Sequence, residues 1–233
     1  MLRFFLLNGF IVLHTIFICI WSVFLAPFDT KGDIIHRYAG IPWARIILWI
    51  CGVKVIVKGI ERIDPSRPRI YMSNHQSYFD IMALLAHLPV NFKFIMKQEL
   101  MRIPLFGFVV KRARYIGIER SQPKKALKSM NEAAGKIRDG ASVLIFPEGT
   151  RSVDGRLQEF KKGGFNLAFR SGCEIVPIAI SDSYRIVPKG SLKINRGTFH
   201  IHFGEPISTA DYNKRDLNAL MDRVREAMIS QME

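Results

Sequence analysis

The sequence is poor in cysteine: Cys19, Cys51 and Cys173 are odd in number and widely scattered. They make neither a disulfide framework nor a zinc pattern, and read as small apolar residues of a reducing compartment. Acidic residues are also scarce, 20 Asp and Glu against 34 Lys and Arg, a net charge of +14. That imbalance points to an anionic partner: nucleic acid, an acidic membrane surface, or an acidic protein or metabolite. Recognisable DNA- or RNA-binding motifs are missing, as is the aromatic strand pattern of RRM domains, so no nucleic acid partner is expected. Gly-x-Ser-x-Gly is absent, which removes the serine elbow as a nucleophile, and no metal-ligand cluster is evident. Repeats, low-complexity tracts and linkers are lacking too. The 233 residues suit one α/β domain with a sizeable core plus an appendage.

Charge vanishes altogether from Phe4 to Pro27. As a helix this run would reach about 36 Å, enough for a hydrocarbon core of about 30 Å. It exceeds a signal-peptide core of about 7–15 residues, and Arg3 is a thin basic lead. Gly40 to Val57 places Trp43, Ile46, Ile47, Ile50 and Val53 at helical spacing, with Arg45 opposite. This stripe describes a membrane-surface helix and a helix packed on the globular core equally well. Residues 1–57 are therefore expected to be a membrane-embedded or membrane-associated helical segment, and 58–233 the α/β domain. If the first run does not span, the two helices would form a hairpin in one leaflet. Positive-inside reasoning places residues from about 29 onward on the cytoplasmic side.

From Arg69 the pattern alternates strands and helices. Strands are expected at 69–72, 91–96, 115–118, 141–146 and 175–180, and helices at 81–88, 163–170 and 209–232. A further helix follows Ser121, and Glu99–Val110 starts as a helix interrupted by Pro104 and Gly107. Residues 192–195 and 198–203 flank Arg196-Gly197 as an expected hairpin. The fold class that results is a single domain with a mixed, mostly parallel sheet flanked by helices, behind N-terminal membrane-associated helices.

The heptad Asn74-His75-Gln76-Ser77-Tyr78-Phe79-Asp80 joins the first of these strands to the helix that follows it. Catalytic and ligand groups of open α/β sheets sit at such carboxyl ends. On one continuous helix His75 and Asp80 would lie about 140° apart. They meet only if the chain turns, with His75 in the loop and Asp80 in the first helical turn, where the helix dipole favours it. A carboxylate-held imidazole is the oriented general base of acyl transfer. Taken alone, the pair reads more simply as a helix-capping Asp beside an ordinary loop His. Phe146-Pro147-Glu148-Gly149-Thr150-Arg151-Ser152 follows another strand. Gly149 permits a tight turn there, and Arg151 offers a fork that matches a phosphate. Glu148 is expected to orient Arg151 or a substrate hydroxyl, a structural ion pair being the plainer reading.

Asn-His-x-Ser-x-x-Asp resembles the signature block of the glycerolipid acyltransferases, the family that includes the 1-acylglycerol-3-phosphate acyltransferases. The block at 146–152 resembles that family's most specific one, which contributes to the acceptor's phosphate site. Lys97-Gln98-Glu99-Leu100, Gly117-Ile118-Glu119-Arg120 and Ile175–Ile180 resemble its remaining elements, in the same order. The resemblance covers roughly residues 50–207. It implies that His75 and Asp80 are catalytic, and that Lys97, Arg120, Glu148, Gly149, Thr150 and Arg151 bind substrate. It implies a transfer from acyl carrier protein or coenzyme A thioester to lysophosphatidic acid, giving phosphatidic acid with no cofactor. Oxyanion donors would be backbone amides near the site. The bilayer is the expected partner, and the cytoplasmic face of a bacterial inner membrane the expected place. The same blocks could serve another lyso-lipid or glycerol 3-phosphate, or a basic membrane-binding protein that kept the fold without the reaction.

Overall fold

The computed structural model describes residues 1–119 and 123–232. Seven strands make one sheet: β1 (Val53–Lys58), β2 (Ile70–Ser73), β3 (Phe92–Lys97), β4 (Ile116–Ile118), β5 (Ser142–Ile145), β6 (Ile175–Ser181) and β7 (Gly197–Phe203). Their order across it is β1-β7-β6-β2-β5-β3-β4. Every neighbouring pair is parallel except β6–β7. The helices are α1 (Leu2–Leu25), α2 (Asp33–Ile35), α3 (Ile41–Cys51), α4 (Phe79–His87), α5 (Phe106–Arg112), α6 (Pro123–Arg138), α7 (Lys162–Ser171) and α8 (Leu217–Ile229).

Strands β2, β5 and β6 are buried at every residue, because helices cover the sheet on both sides. Alternate residues feed two cores. Tyr71, Leu144, Val176 and Phe199 pack with α3 and α4, whereas Ile70, Val143, Ile145 and Ile175 pack with α6, α7 and α8. The chain leaves β2 through α4 on the first face and leaves the adjacent β5 toward α7 on the second. Their carboxyl ends therefore flank a topological switch point, where open α/β sheets hold their sites.

Three expectations need correction. The stretch from Gly40 to Val57 is not one helix: α3 ends at Cys51 and residues 53–58 are β1, paired with β7. Gly52 makes the break, capping α3 in the left-handed region (φ 69°) and donating to Leu48 O and Trp49 O. A division at 57/58 thus falls inside a strand. Residues 192–195 form no hairpin arm, since β7 is already paired on both edges, by β1 and β6. Asn195 bonds to Ile186 O and Arg185 O instead. The last helix starts at Leu217 rather than Thr209, after a 3-10 turn in which Asn213 and Asp216 form a capping box. The expected Ser121 cap lies outside the described residues.

Leu2–Phe28 is one run long and apolar enough to cross a membrane, with a mean hydropathy of 2.3. It lies along the domain rather than apart from it. Arg3 reaches Cys51 O, Asn8 Nδ2 donates to Leu192 O, Trp43 Nε1 to Thr15 Oγ1, and Arg112 Nε to Ala26 O. The turn after α1 is held by Asp29, whose carboxylate accepts from the N–H groups of Gly32, Asp33 and Ile35. Lys93 of β3 then donates to Gly32 O and Asp33 Oδ1.

His36, just beyond that turn, is buried edge-on against Phe92, and neither ring nitrogen has a hydrogen-bond partner among the described residues. Burial, aided by the charge of Lys93, lowers its pKa from 6.5 to about 4. Between these values the unfolded chain takes up a proton that the fold refuses. Stability should therefore fall as pH drops through that window, by up to roughly 3 kcal/mol. Melting curves across the window should show the loss, and His36→Leu should flatten that part of the profile.

Candidate active site

The loop 74–78, leaving β2, is pinned before any chemistry is considered. Asn74 makes a two-point amide contact with the backbone of Ile180 at the end of β6: its Nδ2 donates to the carbonyl at 2.8 Å and its Oδ1 accepts from the N–H at 2.7 Å. Gln76 Nε2 donates to the same carbonyl and to Gly155 O, and Ser77 Oγ to Val187 O. His75 is gripped through its main chain from β5's side. Its N–H donates to Glu148 Oε1 at 2.6 Å, and its carbonyl accepts from Ser152 N at 2.7 Å.

The turn brings His75 and Asp80 together, with Nδ1 and Oδ2 2.8 Å apart. A carboxylate can only accept, so Nδ1 carries the proton and Nε2 is the basic nitrogen. The same Oδ2 accepts from Gln76 N and Ser77 N at 2.7 and 2.8 Å. Asp80 is 0 % exposed, in the first turn of α4, and its Oδ2 gathers three donors there. It holds the imidazole and two amides of the loop together, whereas α4 has Tyr78 at its N-cap and no side-chain cap, so the helix-capping reading does not hold. Phe146 stacks on the imidazole with ring centroids 4.0 Å apart, fixing the plane of the ring.

Glu148 departs from expectation. It orients neither Arg151 nor the cavity: its two oxygens accept from the backbone N–H groups of His75 and Gln158. Burial raises its pKa, and the two amide donors oppose that shift. Buried main-chain donors need acceptors, and a loop carboxylate is the group within reach. Glu148 thus ties the two loops together behind the imidazole.

A cavity of about 860 Å³ opens at these strand ends. His75, Lys97, Gly149, Thr150 and Arg151 all line it, as do Tyr78, Phe146 and Lys161. Arg120 lies outside the described residues. The guanidinium of Arg151 lies 3.7 Å above the ring of Tyr78, and its buried Nη1 has no hydrogen-bond partner among the described residues. A cation stacked in this way, with a donor left over, is a ready partner for an oxyanion. Gly149 sits in the left-handed region (φ 72°), and the end of the Lys161 side chain lies 3.1–3.2 Å from where its Cβ would be. Lys161, Tyr78 and Phe146 were not among the candidates from sequence. Lys161 precedes α7 as one of two adjacent lysines, and nothing local separates it from a solvated neighbour. Away from its polar mouth the cavity is walled by Ile18 and Cys19 of α1, Trp43 of α3, and Phe94, Val109 and Tyr115.

A sheet with an oriented imidazole, an unpaired guanidinium and a deep apolar cavity invites comparison with known proteins. The acyltransferase family profile matches residues 54–181. A 1-acyl-sn-glycerol-3-phosphate acyltransferase of Pseudomonas aeruginosa is 32% identical over 218 residues, 90% of this chain and 82% of that protein. The chain belongs to the acyltransferase family. It is also 36% identical over 186 residues to the chloroplastic 1-acyl-sn-glycerol-3-phosphate acyltransferase LPAT1 of Arabidopsis thaliana, across 79% of this chain and 52% of that one. The chain spans about half to two thirds of the plant relatives it matches. The crystal structure of the LPA acyltransferase PlsC from Thermotoga maritima superposes with a TM-score of 0.83 at 26% identity, covering 97% of this chain and 92% of that one.

The hold on His75 can be tested through Glu148. Glu148→Gln replaces one acceptor oxygen by an NH2 group, so one of the two buried amides loses its partner. Such a loss costs about 1–3 kcal/mol. The melting temperature should fall, and turnover should fall further than Arg151 occupancy by phosphate analogues, because the imidazole is what moves.

Proposed function

We propose that the chain is a 1-acyl-sn-glycerol-3-phosphate acyltransferase. It moves a fatty acyl group from an acyl carrier protein or coenzyme A thioester to the free hydroxyl of lysophosphatidic acid, giving phosphatidic acid. The observation that carries this reading is the joint lining of one apolar cavity by a carboxylate-held imidazole and a guanidinium with an unpaired donor. The names of the relatives support the same substrates.

In this reading Arg151, Lys97 and Lys161 hold the acceptor's phosphate, with Arg120 a further candidate from sequence. His75 Nε2 takes the proton of the acceptor hydroxyl as its oxygen attacks the thioester carbonyl. Asp80 keeps Nδ1 protonated and stabilises the imidazolium. The tetrahedral intermediate then collapses, the carbon–sulfur bond breaks, and the imidazolium returns the proton to the thiolate. A thiol with a pKa of about 8–9 leaves readily, so one base suffices and no acyl-enzyme is needed. The fatty chain lies in the apolar cavity, away from water.

His75→Ala should abolish transfer, since a general base is worth about 10²–10⁴ in rate, and should lower the melting temperature without unfolding the domain, because Asp80 and Phe146 lose a partner. Asp80→Asn should leave a small residual rate. Thiol release with and without lysophosphatidic acid reads both variants, and near-normal turnover by the His75 variant would exclude the mechanism.

Attachment to a membrane, with residues 1–57 contributing the contact, belongs to the same proposal. Because α1 is tethered from Arg3 to Ala26, it is read as one arm of a hairpin with α3, seated in one leaflet. Phe5, Leu13, Phe17 and Phe24 of α1 and Trp49 of α3, 77 % exposed, form its outer face. The basic domain would lie on the cytoplasmic side, as at a bacterial inner membrane. Apolar burial at roughly 25 cal/mol per Å² should outweigh the salt-screened contribution of basic residues. Native membranes washed in high salt should therefore retain the protein. The double change Phe17→Glu and Phe24→Glu should release it without lowering its melting temperature; release of the unaltered protein by salt alone would refute the assignment.

A further inference from the structure

A second apolar depression, of about 250 Å³, lies beside the first cavity, between α1, the start of α4 and residues 187–194. The two share one wall: Trp43, Tyr78 and Ile81 border both. On the far side the groove is bounded by Leu192 and Ile194, and Asn8 of α1 ties the Leu192 carbonyl in place. Leu192 is 60 % exposed, an apolar side chain held open to whatever lies outside.

The acyl transfer described above, on which this inference rests, brings two fatty chains to one imidazole. The donor carbonyl must sit against His75, which lines the large cavity and not the groove, so the donor's chain takes the cavity. The acceptor's phosphate goes to Arg151, which lies on the ring of Tyr78. Its glycerol is three carbons long, so the acceptor's own chain starts within a side chain's width of that ring. Tyr78 is also the wall of the groove. We propose that the groove between α1 and residues 187–194 holds the 1-acyl chain of the acceptor, and that Tyr78 is the partition keeping the two chains apart. A chain too long for the groove continues past the exposed Leu192. The acceptor is then bound by both ends, its anion on one side of Tyr78 and its chain on the other.

The test uses the full chain and acceptors short enough to stay monomeric. In the unaltered protein each added methylene should lower the acceptor's KM by up to about fourfold until the groove is full. Leu192→Trp, at an exposed position that tolerates substitution, should fill the groove and flatten that series, while the ranking of thioester chain lengths stays as before. A photoreactive group on the acceptor's chain should label residues 187–194. A flattened thioester series instead, an unchanged acceptor series, or equal labelling by a diacyl phospholipid would each overturn the groove assignment while leaving the acyltransferase reading intact. Absence of transfer from any thioester by the unaltered protein would overturn both.

Discussion

Everything at the strand ends depends on holding one loop imidazole that has no secondary structure of its own. His75 is fixed by its side chain through Asp80, by its N–H through Glu148, by its carbonyl through Ser152, and by its ring face through Phe146. Three of these four partners come from the single segment 146–152. The fit between the β2 and β5 loops is thus the condition for an oriented imidazole, and the adjacency of β2 and β5 is the condition for that fit. Polar side chains are spent on this hold: both oxygens of Glu148 accept from amides, and Asn74 and Gln76 converge on one carbonyl. A rigid scaffold of this kind suits catalysis that works by holding a hydroxyl and a carbonyl together.

The N-terminal helix belongs to the site as well as to the surface. Ile18 and Cys19 wall the cavity, while Phe17 and Phe24 face outward from the same helix. One helix thus carries two apolar faces, one lining the cavity and one exposed. The tethers at Arg3, Thr15 and Ala26 hold this helix against the domain. The Asp29 and Lys93 contacts fasten the turn from this helix to β3, whose other end carries Lys97.

Membership of the acyltransferase family agrees with this division of labour. The family profile covers residues 54–181, which is the sheet from β1 to β6 with both loops. The likeness to the Thermotoga maritima protein extends over nearly the whole of both chains, so the N-terminal helices and the last strand and helix are part of the shared architecture.

Local chemistry in the sequence determined a good deal by itself. The buried runs at 70–73, 142–145 and 175–181 are strands because unbroken β-branched and apolar residues fit a sheet covered on both faces. The His75–Asp80 turn was legible because helical geometry forbids the pair from meeting any other way. What failed was whatever depended on partners distant in the chain. The helical stripe of Trp43, Ile46, Ile47 and Ile50 runs on into Val53 along the sequence, although residues 53–58 are mostly β-branched and pair with β7 as a strand. Residues 192–195 lost their strand because both edges of β7 were already occupied. Glu148 looked like a partner for the arginine three residues on, yet a buried amide 73 residues away claimed it. Lys161, Tyr78 and the two apolar recesses carry no motif, since a recess is made by surfaces from several elements and exists only after they pack. Periodicity and turn chemistry act over a few residues and so can be read along the chain, whereas hydrogen-bond partners and cavities are settled by which strands end up side by side.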